Sequence, residues 1–106
     1  VSCSLTAVYN GSNPFSLANS GDATELAYVQ TNVSNLLNGP VKTTLTGTTS
    51  FVSDGDYPVV LVKAANSYYL YTNVVVGQVL LSQSFNSHDV RQNISHVSRF
   101  TCGNVS

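Results

Sequence analysis

A chain of 106 residues suits one compact domain with a modest core and leaves no room for a second. Its 42% apolar content, with charged residues at only 8%, excludes the low-hydropathy, high-charge composition of disordered chains. The four cations (Lys42, Lys63, Arg91 and Arg99) are too few and too dispersed for a non-specific nucleic-acid patch, and no apolar run reaches the ~18 residues of a membrane helix.

Residues 3–9, CSLTAVY, alternate well enough for a first strand, and 10–21 form a loop rich in Asn, Ser, Gly and Pro. Asp22 three residues before Glu25 has the spacing of a capping box. Leu26, Val29, Val33, Leu36 and Leu37 then keep to one face of a 3.6-residue period. Asn38-Gly39-Pro40 ends the pattern, since Pro cannot continue a helix, so the spacing predicts one helix over 22–38.

Beyond Pro40 the period changes to that of strands. Runs at 41–45 and 48–53 precede Asp54-Gly55-Asp56, which is too short for a calcium loop and is expected to be a hairpin turn. Residues 57–64, YPVVLVKA, are the most apolar run, and Pro58 at its start loses little by lacking an N–H. Ala65-Asn66-Ser67 turns the chain into 68–76, so these two runs are expected to form a central hairpin. Residues 79–81 and 97–102 supply further strands, while 84–96 carry no clear period. The fold class expected is α+β: one N-terminal helix packed on a curved antiparallel sheet of four to six strands, in a single domain.

Cys3 and Cys102 lie near the two ends, an even count that suggests one bridge joining the termini. Disulfides persist in oxidising compartments, which points to a secreted chain. Sequons at Asn10, Asn32, Asn93 and Asn104 permit glycosylation on the same route.

The early Cys in Val1-Ser2-Cys3, the helix, the YPVVLVKAANSYYLY hairpin, and Ile94-Ser95-His96 ahead of Phe100-Thr101-Cys102 give a layout. It resembles that of the small secreted fungal ribonucleases of the guanyl-specific, microbial class. It also resembles their catalytically dead relatives, the secreted effectors of powdery mildews. The resemblance implies metal-free RNA cleavage by a glutamate base and a histidine acid, with His, Arg and Tyr residues on the concave sheet face. His96 would stand near the acid's strand, and Arg91 or Arg99 near a phosphate. No glutamate follows the helix, Glu25 being the only one, and Asp89 is the nearest substitute for the missing base.

Other candidates are few. His88, Asp89 and His96 are a dense polar group without the converging ligands a metal needs. Tyr57, Tyr68, Tyr69 and Tyr71 concentrate aromatic surface of the kind interfaces use, with Lys63 beside them for an anionic partner. The chain is therefore expected to be a non-enzymatic secreted binding protein without a cofactor. Tyr57, Lys63, Tyr69, Tyr71 and His96 are the binding residues expected, and a host or cell-surface protein is the partner. RNA is a weaker partner. The alternatives are an RNA-cleaving enzyme using His96, and a glycosylated cell-surface or viral ectodomain module binding protein or carbohydrate.

Overall fold

The computed structural model describes residues 5, 8–12 and 14–102, so Cys3, Asn104 and most of the expected first strand lie outside it. The order of elements is α1 (Asp22–Asn32), β1 (Leu37–Thr44), β2 (Ser50–Val52), β3 (Tyr57–Ala64), β4 (Ser67–Val74), β5 (Val79–Leu81) and β6 (Ile94–Cys102). Among the described residues the fold is α+β, with one helix and two antiparallel sheets rather than the single sheet expected. The larger sheet has the strand order β1-β6-β3-β4, and β2 pairs only with β5.

The alternation of β3 explains the layering. Val59 and Leu61 face the helix side, where they meet Val29, Val33, Leu37, Tyr68, Leu70 and Phe100. Val60, Val62 and Ala64 face the other way, onto Tyr69, Tyr71, Leu80, Ile94 and Val97. A strand covered on both faces reads as a continuous apolar run, which is why YPVVLVKA shows no polar alternation. Phe51 and Leu80 turn the small sheet's inner face onto that second layer, while Val52, Val79 and Leu81 point to solvent.

β4 would be an open edge, but the N-terminal segment pairs along it. Gly11 N–H donates to Leu70 O, Phe15 and Tyr68 exchange backbone bonds, and Thr72 N–H donates to Tyr9 O, all between 2.8 and 3.1 Å. Unpaired edges invite association with other chains, and this contact removes one.

Three expectations are corrected. The helix ends at Asn32, not 38: Ser34 N–H bonds back to Val29 O and Leu37 N–H to Ser34 O, turning the chain so that Leu37 opens β1. Asn38-Gly39-Pro40 therefore lies within a strand, where Gly39 at φ +127° sits in a bulge opposite β6. Asp54-Gly55 is no hairpin turn, because β2 and β3 belong to different sheets; it carries the chain from one layer to the other. The capping box is also absent. Gly21 is the N-cap and makes no side-chain cap bond, and Glu25 turns inward. Asn19 fastens this entrance instead, its Oδ1 accepting from Gly21 N–H and Thr24 Oγ1 at 2.8 Å each.

Candidate functional site

Glu25 is fully buried between α1 and the sheet. It is placed there by the stripe Glu25, Val29, Val33, whose i, i+4, i+8 spacing puts all three on the face toward β6 and β3. β6 presents His96, Ser98 and Phe100 to that face, and β4 presents Tyr68 from beyond β3.

The carboxylate collects four donors. Ser98 Oγ donates to Oε1 at 2.5 Å, and Lys42 Nζ lies 3.4 Å from the same oxygen. Tyr68 OH donates to Oε2 at 2.6 Å, with His96 Nε2 at 2.8 Å. An ionised carboxylate offers about four lone-pair positions, so this one is saturated. Burial on its own would raise the Glu25 pKa. The hydrogen bonds from His96, Ser98 and Tyr68 outweigh that and lower it to about 2. Because the carboxylate is ionised and only accepts, His96 Nε2 carries the proton in this bond. Tyr68 is pushed the other way: its burial and its bond to Glu25 both raise the phenol pKa.

The surroundings close the cluster further. Lys42 Nζ is 3.0 Å from Asp22 Oδ1 and donates to Ser20 O at 2.6 Å. Lys63 Nζ donates to Ser20 Oγ at 2.6 Å and lies 5.7 Å from the Tyr68 ring centre. Phe15 stacks between Tyr28 and Tyr68, at centroid distances of 4.1 and 5.6 Å.

The five residues expected to bind do not form one patch. His96 and Lys63 belong to this helix-side cluster. Tyr69 and Tyr71 are buried between the two sheets, with the Tyr69 hydroxyl 2.5 Å from Ser84 Oγ and the Tyr71 hydroxyl donating to Leu81 O at 3.2 Å. They are core, and the exposed tyrosine surface expected from the sequence is not formed. Tyr57 lies apart from both groups, half-buried and donating to Asp54 Oδ1 at 2.7 Å.

His88 and Asp89 are exposed in a turn organised by Asn86 Oδ1, which accepts from the His88 and Val90 N–H groups. His96 is buried elsewhere, and its carboxylate partner is Glu25, not Asp89. Among the described residues no three of His, Cys, Asp and Glu converge as a metal site would require. None of the helices among them is long and apolar enough to cross a membrane. Asn10, Asn32 and Asn93 are exposed.

Glu25 is not among the candidate residues expected from the sequence. The signal was there: a carboxylate in step with Val29 and Val33 on the buried stripe must find partners, and His96 and Ser98 alternate on the strand able to supply them. Comparison with known protein families, with curated protein sequences and with solved structures found no match to this chain.

Proposed function

We propose that this chain is a secreted, non-enzymatic binding protein, effector-like, on a ribonuclease-type scaffold that lacks the catalytic carboxylate. The observation that carries this reading is the burial of the Glu25–His96 pair with every carboxylate lone pair occupied. A general base must reach its substrate's proton and have a lone pair to accept it. Glu25 has neither, and the four strands of the larger sheet carry no carboxylate of their own.

A host or cell-surface protein is the partner proposed. The contact surface would lie around half-buried Tyr57 and exposed Asp54, with exposed Val41 on the strand beside Arg99. The exposed Asn10, Asn32 and Asn93 suit glycosylation on a secretory route, and a Cys3–Cys102 bridge would tie the end of β6 to the N-terminal segment.

The second reading is RNA cleavage by His96, favoured by the one fact that His96 does have a carboxylate beside it. An RNA-cleavage assay on oxidised, folded protein, beside His96→Ala prepared in the same way, separates the two. The binding reading expects no difference between them. Cleavage lost in a folded His96→Ala variant would replace it with an enzyme.

A further inference from the structure

Arg99 sits on β6 with its side chain nine-tenths buried. A guanidinium offers five N–H donors in a planar fork. Nη1 donates to Asp54 Oδ2 at 2.9 Å and Nη2 to Thr43 Oγ1 at 2.6 Å, whereas Nε is buried with no hydrogen-bond partner. No other side-chain nitrogen or oxygen among the described residues is buried and unpaired in this way. The Phe51 and Tyr57 rings flank the guanidinium, with centroids 6.0 and 5.8 Å from Cζ.

Asp54 comes from the connection between β2 and β3, and its side chain is 59% exposed. Its two oxygens take separate donors, Oδ1 the Tyr57 hydroxyl and Oδ2 the Arg99 guanidinium. Two donors from two strands thus converge on one carboxylate, and that carboxylate is mostly in water. An ion pair so exposed is screened and weakly held on the carboxylate side. The donors, by contrast, are fixed: Arg99 by Thr43 and the flanking rings, Tyr57 by the strand that carries it.

We propose that Arg99, Tyr57 and Thr43 form a carboxylate-binding site. Asp54 fills it in the free protein, and the carboxylate of an acidic side chain on a protein partner takes Asp54's place. The inference rests on the binding reading above and gives that surface its chemistry. The class of ligand follows from what the donors already hold, one carboxylate bridged between phenol and guanidinium. The spare Nε–H is a donor that a ligand entering with a small shift of the Asp54 connection can take up. Occupation by Asp54 keeps the buried cation paired until a competing carboxylate arrives.

The test is a nuclear magnetic resonance titration of the whole chain with sodium acetate, inorganic phosphate and, for ionic strength, sodium chloride. It is run on wild type, Asp54→Ala and the Asp54→Ala/Tyr57→Phe double variant. Asp54 is itself exposed, but its removal leaves the buried Arg99 guanidinium without its anion, so the fold of each variant is first confirmed from its amide spectrum, and acetate should also raise the Tm of Asp54→Ala. Acetate should shift the Arg99 Nε–H and the amides of 41–43 and 97–99 saturably in Asp54→Ala, about tenfold or more tighter than in wild type. Loss of the Tyr57 hydroxyl should weaken that binding, and chloride should not reproduce it. No saturable shift in Asp54→Ala, or acetate binding indifferent to the Tyr57 hydroxyl, would overturn the site. Phosphate binding tighter than acetate would overturn the carboxylate assignment. Any of these failures leaves the binding reading where it was, since that reading stands or falls on the separate RNA-cleavage assay.

Discussion

Glu25 and His96 stand 71 residues apart in the chain and 2.8 Å apart in the fold. One is in the first turn of α1, the other on β6, and their contact fixes the helix against the middle of the sheet. A charge fully removed from water is tolerable only when its hydrogen bonds are made, and here Tyr68, Ser98, His96 and Lys42 make them.

Removing the carboxylate should therefore cost far more than removing a surface charge. Glu25→Ala leaves His96 Nε2, Ser98 Oγ and Tyr68 OH without their acceptor. We expect a loss of about 3 kcal/mol or more in urea unfolding, with the largest exposure of amides in α1 and β1.

Acid should weaken the same lock. The folded-state pKa of Glu25, about 2, lies below the unfolded value near 4.5. Its contribution to stability is complete above 4.5 and drains away as pH falls toward 2. Wild type should lose stability steeply through that window, and Glu25→Gln should be flatter there while starting from a lower plateau. Equal slopes in the two proteins would remove Glu25 as the cause.

The docking of the small sheet depends on a few side chains. Leu80 is buried against the face of β3 and β4 that carries Val62 and Tyr69. Leu80→Ala should cost about 2–5 kcal/mol in urea unfolding, as large-to-small changes in sealed cores do. The exposed neighbours Val79 and Val52 should change stability by less than about 0.5 kcal/mol when replaced by Thr.

The β4 edge is closed through Gly11, whose φ is +83° and where an added Cβ would come within 2.4 Å of the Tyr71 ring. Gly11→Ala combines left-handed backbone strain with a clash, so the N-terminal segment should lift from β4. Hydrogen exchange reads this directly: Tyr68 and Thr72 amides, which donate to Phe15 and Tyr9, should lose protection while the β3 and β6 amides keep theirs.

Much of the fold was legible. β3 occupies 57–64 as its apolar run indicates, and α1 begins at Asp22. The helix end was misplaced because Leu36 and Leu37 continue the 3.6-residue stripe beyond the point where the chain turns. Leu37 reaches the helix-side core as the first residue of β1, not as a further turn of the helix. The separation of β2 and β5 into their own sheet left no trace in either three-residue run, since strand partners are set by distant packing. The tyrosines misled for a related reason. Tyr69 and Tyr71 lie on one face as their spacing requires, but that face is covered by Leu80 and its neighbours. The acid–base pair was hidden because its halves come from opposite ends of the chain.

The central claim, that Glu25 and His96 work as a structural lock, is tested most directly by a double-mutant cycle in urea using Glu25→Gln, His96→Asn and the pair. We expect the two losses to be non-additive, with a coupling of at least about 1 kcal/mol, as for residues sharing one buried network. Additive losses, with coupling indistinguishable from zero, would contradict the account and return His96 to the list of residues free for chemistry.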